Sequence, residues 1–279
     1  EASRLVIQAD PTAAVGSVVL HGAVSQCTQG YAIRLQQSKF ITLRGLTITG
    51  AGGEAIALLG GNNQNTAIHI ERNRIFGNGG ASCTGGITIA SGNPDTLIVN
   101  NLIYGNGRNG IATIDATGGP HAIIENTIHG NQWSGVNVTR SHQVLLANNA
   151  ITGNGTATGT TGGRFGVVRE SANPPNPAGI HLVNNLICGN RLGELSGPIL
   201  DATDSGNLTP TGSEGTGVTA SRNSSGVTRA GSLSRGSTLT AIRRDGSPGP
   251  PPTRVPNPGV AGPPGGTAPT VNDADSRRG

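Results

Sequence analysis

The stretch that decides the fold is Asn101-Leu102-Ile103-Tyr104-Gly105-Asn106, because variants of it recur along the chain. Four further copies keep the Asn, the Ile, the Gly and the final Asn, and they begin at Asn73, Asn126, Asn149 and Asn185. A weaker first copy is Leu46-Thr47-Ile48-Thr49-Gly50, and the glycines of successive copies lie 27, 28, 25, 23 and 36 residues apart. Such spacing indicates a series of near-equal structural repeats with one insertion.

Two further short apolar segments recur in each repeat. One follows a glycine, as in Gly86-Ile87-Thr88-Ile89, and one precedes the first asparagine, as in Thr96-Leu97-Ile98-Val99. Three short strands per repeat would form one coil of a solenoid, with one strand on each of its three faces. Stacked coils would pair each strand in parallel with its counterpart about 4.8 Å away, so the sequence predicts an all-β protein built as a parallel β-helix.

The residue types of the repeat fit that architecture. The isoleucines would stack inside the coils as one column: Ile48, Ile75, Ile103, Ile128, Ile151 and Ile187. The glycine lets the backbone turn through positive φ, and the asparagines can form amide ladders between coils. A helical alternative would place each glycine inside a helix at a cost of about 1 kcal/mol, and we reject it.

Taken together, these motifs resemble the right-handed parallel β-helix proteins of the pectin-lyase-like superfamily, in particular bacterial members with short N-x-I-x-G-N repeats. The resemblance covers Leu5 to Asn207. It implies the fold but leaves the activity open, because that superfamily includes polysaccharide lyases, hydrolases and epimerases as well as surface and adhesion proteins with no known chemistry.

Composition divides the chain into two parts. Residues 1–207 form the expected β-helix domain, for which we expect no N-terminal cap, and residues 208–279 form a Ser/Arg/Gly/Pro-rich tail. A tail of that composition cannot bury enough apolar surface to offset chain ordering, so we expect it to be disordered. Glu1 runs almost directly into a strand, so a signal peptide is not present in this chain and we expect a longer precursor.

Charge and hydropathy exclude several partners. The net charge is +4, but the excess lies in the tail, where eight Arg face three Asp from Ser221 onward. With 2% aromatic residues and no basic stripe in the β-helix, we expect no nucleic-acid partner. The sequence also lacks a run of roughly 18 apolar residues, so we expect a protein that does not span a membrane. Cys27, Cys83 and Cys188 show no CxxC spacing, which indicates neither a zinc site nor a disulfide framework.

Two lateral faces of the predicted coils are candidates for binding. The residues just before the repeat glycines include Phe76, Tyr104 and His129, which would stack outside as a carbohydrate-binding surface or simply stabilise the coils. A second face would carry a contiguous apolar patch that could dock a partner or be covered by the chain's own insertion or tail. That partner face consists of Leu97, Val99, Ile124 and Leu145.

One edge of the predicted coils concentrates ionisable groups. Candidate catalytic residues there are Asp95, Asp115, His121, Arg140 and His142. Arg or His could abstract a proton from a uronate while carboxylates hold Ca²⁺, which is the mechanism of a lyase. Asp115 and Arg140 occupy equivalent positions one coil apart, so a simple ion pair is the alternative. We expect no cofactor unless the lyase hypothesis holds.

The favoured hypothesis is an extracellular or cell-surface β-helix protein that binds polysaccharide or a surface partner through a lateral face. The alternative is a polysaccharide lyase or glycoside hydrolase acting at the Asp/Arg/His edge. The sequence lacks motifs resembling those of polygalacturonases, pectate lyases or alginate epimerases. Whether the protein is an enzyme therefore stays open at this stage.

Overall fold

The computed structural model of the protein describes most of the repeat region. The described residues are 3–14, 16–22, 30–61, 64–80, 85–116, 119–141, 143–157, 163–170, 180–197, 206–210, 218–222 and 232–233. Within these ranges the regular structure consists of 24 β-strands. The same part of the chain contains no helix of the length and apolarity needed to cross a membrane.

The strands form three sheets, and each of the seven coils from β1 to β21 contributes one strand to each sheet. The first sheet consists of β1 (Leu5–Gln8), β4 (Ile41–Arg44), β7 (His69–Glu71), β10 (Thr96–Val99), β13 (His121–Ile124), β16 (Val144–Ala147) and β19 (Ile180–Val183). The second consists of β2 (Val19–His21), β5 (Thr47–Thr49), β8 (Arg74–Phe76), β11 (Leu102–Tyr104), β14 (Thr127–His129), β17 (Ala150–Thr152), β20 (Leu186–Cys188), β22 (Leu208–Pro210), β23 (Val218–Arg222) and β24 (Ser232–Leu233). The third consists of β3 (Ile33–Leu35), β6 (Ile56–Leu58), β9 (Ile87–Ile89), β12 (Ile111–Ile114), β15 (Val136–Thr139), β18 (Val167–Glu170) and β21 (Leu195–Ser196). This arrangement confirms the predicted three-faced parallel β-helix.

The aliphatic column forms the core. Ile103 pairs in parallel register with Ile75 on one side and Ile128 on the other. All six isoleucines of the column have no exposed surface. Burying a side chain of this size stabilises the fold by about 1.5–3 kcal/mol, so the column makes stacking favourable at every coil.

Two asparagine ladders join the coils at the bends. In the first, each side-chain amide donates to the side-chain oxygen of the next asparagine, as Asn101 does to Asn126 at 3.0 Å. It continues through Asn73, Asn101, Asn126, Asn149, Asn185 and Asn207. The second runs through Asn78, Asn106, Asn131, Asn154 and Asn190. Between the ladders, each repeat glycine takes a positive φ, such as +59° at Gly105, where a side chain would be strained.

The two ends of the described solenoid differ. At the first coil, β1 forms the edge of the first sheet and its aliphatic side chains are exposed, with Leu5 at 59%. At the other end, the segment expected to lack structure, residues 208–279, falls mostly outside the described residues. Inside it, Leu208 pairs in parallel with Leu186, and β23 and β24 add antiparallel strands. The second sheet therefore extends past the expected boundary, because Asn207-Leu208 repeats the start of the coil motif.

Candidate functional site

The predicted aromatic positions come together on the outer face of the second sheet. Tyr104 lies in register with Phe76 and His129 on the neighbouring strands. The rings of Phe76 and Tyr104 stack with centroids 5.0 Å apart and planes 13° apart. His129 is exposed, and its Nδ1 lies 3.1 Å from the hydroxyl of Thr152. Because the two rings stack on each other, each covers one face of its neighbour, and both side chains stay partly exposed.

Arg74 completes this face. Its Nε and Nη2 donate to the Tyr104 hydroxyl at 2.9 and 2.6 Å. The guanidinium carbon lies 5.0 Å from the Phe76 ring centroid and 5.5 Å from that of Tyr104, which is within cation–π range. We call Arg74, Phe76, Tyr104 and His129 the aromatic strip. At the described outward positions of the second sheet there is no acidic side chain, so the strip carries a positive charge.

The predicted partner face lies on the first sheet. Leu97 and Leu145 both flank Ala122 in register, and Val99 pairs with Ile124. All four aliphatic side chains of the predicted patch are partly exposed. They lie next to one another on three consecutive coils, so the structure places them as one apolar surface.

The predicted catalytic edge contains an ion pair. Arg140 donates from Nε and Nη2 to the two carboxylate oxygens of Asp115 at 2.5 and 2.7 Å. These bonds and the charge of Asp115 raise the pKa of Arg140. Asp95 is exposed at the turn before β10. Two of the predicted catalytic groups therefore neutralise each other across neighbouring coils, and surface pairs of this kind contribute little to stability.

His121 does not lie at that edge. Its side chain is fully buried inside the coil, because β13 alternates and directs His121 and Ile123 inward. Its Nε2 lies 3.3 Å from the Ala116 carbonyl oxygen. Burial lowers the pKa of His121, against opposing effects of that hydrogen bond and of the Asp95 charge. The expectation that His121 faces a substrate outside the coil is thus corrected.

The remaining member of the edge, His142, lies outside the described residues. Among the side chains that the structure does describe, no three His, Cys, Asp or Glu come together as ligands for a metal ion. Among the described residues, the predicted catalytic side chains therefore do not come together in one groove.

Sequence comparison agrees with this geometry. The family model described as "Right handed beta helix region" matches residues 15–187 and again 68–232. The chain belongs to the right-handed β-helix family. The two overlapping matches reflect the repeated coil, since the same pattern fits the β-helix protein in more than one register. No curated protein matches the chain.

The β-helix protein is also similar to several solved structures. One is the periplasmic alginate epimerase AlgG, with 16% identity and a TM-score of 0.34 over 58% of this chain and 40% of that chain. A second is the A-module of the Azotobacter vinelandii mannuronan C-5 epimerase AlgE6, with 17% identity and a TM-score of 0.40 over 73% and 57%. A third is the pectate lyase Pel9A, with 15% identity and a TM-score of 0.36 over 67% and 54%. The chain thus spans 40–57% of their lengths, and a shared fold does not establish a shared activity.

A further polar group of the β-helix protein was missed by sequence reasoning. Glu54, Arg108 and Trp133 lie in the turns that lead into the third sheet, two or three residues before its strands begin. The guanidinium of Arg108 lies 4.0 Å from the Trp133 ring centroid. Burial raises the pKa of Glu54, while a hydrogen bond from its own backbone, a Thr88 hydrogen bond and the charge of Arg108 lower it. The signal in the sequence is their similar placement, two or three residues ahead of Ile56, Ile111 and Val136.

Proposed function

We propose that the protein binds polysaccharide through the aromatic strip on the outer face of its second sheet, and that it does so outside the cell or at the cell surface. The observation that carries the proposal is the Arg74 guanidinium held over the Phe76–Tyr104 stack. Apolar ring edges, a cation and hydroxyl groups occur together there, and sugars present both C–H surfaces and hydroxyls to such groups.

Charge favours acidic polysaccharides over neutral ones at this strip. Arg74 is exposed, and its guanidinium donates to a neutral phenol rather than to a carboxylate. On the neighbouring strand, the exposed His129 imidazole adds a hydrogen-bonding group to the strip. A carboxylate on the ligand could therefore accept from Arg74 in a bidentate manner.

The test is retention on immobilised glycans. Purified protein is passed over polygalacturonate, alginate and neutral glucan matrices, with and without Ca²⁺, and the released sugars are assayed for unsaturated or reducing ends. Arg74→Ala and Tyr104→Ala are expected to weaken retention on the acidic matrices at least tenfold. Arg140→Ala is the matched control, because it removes another exposed arginine away from the strip.

Two results would overturn the proposal. One is equal loss of retention in Arg74→Ala and Arg140→Ala, which would show binding through net charge alone. The other is turnover that disappears in Arg140→Ala or Asp115→Ala, which would favour the lyase or hydrolase hypothesis at that edge.

A surface partner is the second candidate ligand. The observation that favours it is the contiguous patch of Leu97, Val99, Ile124 and Leu145, since exposed apolar surfaces of this kind mark interaction sites. Leu145→Asp is expected to abolish adhesion to cells or surfaces if the patch binds a partner, and to leave glycan retention unchanged. Adhesion that survives this substitution would exclude the patch.

A further inference from the structure

An arginine is buried without a partner in the sixth coil, at the turn that leads from the second sheet to the third. Arg164 lies three residues before β18, which is the position that Trp133 holds before β15 one coil earlier. Only 3% of Arg164 is exposed, and among the described residues no other Arg, Lys, Asp or Glu is so deeply buried. Its Nε is enclosed without a hydrogen-bond partner, and within the same residues the side chain forms no ion pair.

A buried guanidinium needs a counter-charge. Arginine keeps its positive charge at physiological pH, so it cannot relieve the cost of burial by losing a proton as a buried lysine can. Taking a charge out of water is unfavourable unless an opposite charge and hydrogen bonds replace the water. A buried donor that lacks both is therefore a sign of a group that the coordinates do not contain.

The surrounding chain does not supply this counter-charge. In the described turns of the sixth and seventh coils, residues 153–157, 163–166 and 189–194, the single acidic side chain is that of Glu194. Its Oε2 accepts from Nδ2 of Asn190 at 2.5 Å, so it is engaged in the asparagine ladder. The sequence from 156 to 163 contains no Asp or Glu. A partner for Arg164 must therefore come from outside these turns.

A second arginine lies beside Arg164. The Cβ atoms of Arg164 and Arg191 are both 2.9 Å from the position that a Cβ on Gly155 would take, so the two side chains leave the backbone next to each other. Arg191 is exposed, and its Nη1 donates to the carbonyl of Ala157 at 2.6 Å. Two neighbouring cations without a paired carboxylate create a positive potential that attracts anions.

We propose that Arg164 binds an oxyanion group that is not part of the polypeptide: a sulfate, a phosphate or a carboxylate. Such a group presents two oxygen atoms to the planar fork of the guanidinium, which is the strong bidentate arrangement. The bound group neutralises the buried charge, and the exposed Arg191 draws the anion toward the turn. The site is distinct from the aromatic strip, which lies on second-sheet strands of the third to fifth coils.

The experiment uses Trp133 emission, because Trp133 occupies the equivalent position one coil from Arg164 and is the single tryptophan of the chain. The whole protein is titrated with sodium sulfate, sodium phosphate and hexagalacturonate, at an ionic strength held constant with sodium chloride. We expect a saturable change with at least one probe. Tighter binding of sulfate or phosphate identifies a free ion, and tighter binding of hexagalacturonate identifies a carboxylate carried by a sugar.

Three variants assign this binding to Arg164. Arg164→Met should abolish the saturable change, and Arg164→Lys should weaken binding about tenfold, because lysine keeps the charge but lacks the planar fork. Arg72→Met is the matched control, since it removes an exposed arginine between the first and second sheets and should leave the titration unchanged. Arg74→Ala should also leave it unchanged, even if that substitution abolishes retention on acidic matrices.

Thermal unfolding separates anion binding from a purely structural role of Arg164. Without the tightest probe, Arg164→Met should melt at the same temperature as the unsubstituted protein or higher, because it removes an unpaired buried charge. With that probe at saturation the order should reverse, because only the unsubstituted protein gains stability from binding. General salt effects act on both proteins alike. The proposal is overturned if no probe gives a saturable change in emission or melting temperature, or if Arg164→Met lowers the melting temperature equally with and without the probe.

Discussion

Replacing Asn126 with alanine tests the ladder that fixes each coil on the next. The Asn126 oxygen accepts from the backbone N–H of Asn101 at 2.9 Å and from its side-chain amide at 3.0 Å. Its Nδ2 donates to the carbonyls of Ile98 and Ile124 at 2.9 and 3.0 Å, and to Asn149 at 3.1 Å. The side chain is 1% exposed, so water cannot take over these bonds without opening the coil.

The expected loss follows from these contacts. In Asn126→Ala the buried N–H of Asn101 loses its acceptor, at about 1–3 kcal/mol, and each of the other lost bonds adds about 0.5–1.5 kcal/mol. The penalty is partly relieved, since the Ile124 carbonyl still accepts from Asn100 and the Asn101 amide still donates to two carbonyls. Bonds within one network are not additive, and we expect a total near 3–5 kcal/mol.

Urea unfolding followed by far-UV circular dichroism measures this loss. Thr127→Ala is the matched control, because Thr127 is the exposed neighbour of Asn126 and surface changes usually stay within about 0.5 kcal/mol. For a folded region of this size, thermal unfolding should shift by about 10 °C. If Asn126→Ala lost less than about 1 kcal/mol, the ladder would not be what holds neighbouring coils together.

Three further predictions address the core, the turns and a buried titratable group. Ile128→Ala should lower the free energy of unfolding by about 2–5 kcal/mol in urea, because Ile128 is fully buried; a loss below 1 kcal/mol would contradict the stacked column. Gly135→Ala should lower the melting temperature far more than Gly130→Ala, since a Cβ at Gly135 would lie 2.4 Å from Ile151. A Cβ at Gly130 would meet open space, so that substitution costs only the strain of a side chain at a left-handed φ. Equal melting temperatures would refute this. Because burial chiefly lowers the pKa of His121, its neutral form is favoured in the folded protein. Its stabilising contribution is therefore complete above the unfolded pKa of about 6.5 and is lost as the pH falls below it. His121→Val, the residue type found one coil on at Val144, should remove that part of the pH dependence measured between pH 7 and 5, and an unchanged profile would count against the argument.

The fold could be predicted from the sequence because the same coil motif occurs six times along the chain. A single Asn-x-Ile-x-Gly-Asn phrase would be ambiguous, but six glycines at near-constant spacing leave only stacked coils. The outward columns also followed from alternation, as the pairing of Phe76 with Tyr104 shows. The same alternation directs His121 inward, because its neighbour Ala122 is partly exposed on the outer face of β13.

The polar clusters could not be found in this way. Arg74 occupies a position that holds Leu, Thr and Ala in other coils, so periodicity does not distinguish it. Glu54, Arg108 and Trp133 lie in turns, where backbone geometry rather than hydrophobic patterning decides what comes together. Side chains in the turns of different coils come into contact only if their backbones project in the same direction. The hydrophobic pattern does not determine that direction, whereas the coordinates do.

The central claim is that equivalent positions of successive coils lie on one axis at a constant step, and pulsed electron paramagnetic resonance between spin labels tests it directly. The second sheet places Val19 in one parallel column with Thr127, Ala150 and Leu186. Labels at Val19 paired with each of these three, in a chain whose native cysteines are replaced by alanine, should show backbone separations near 19, 24 and 29 Å at about 4.8 Å per coil. Distances that rise by this step would support the stacked coils, and distances that do not increase regularly from Thr127 to Leu186 would contradict them.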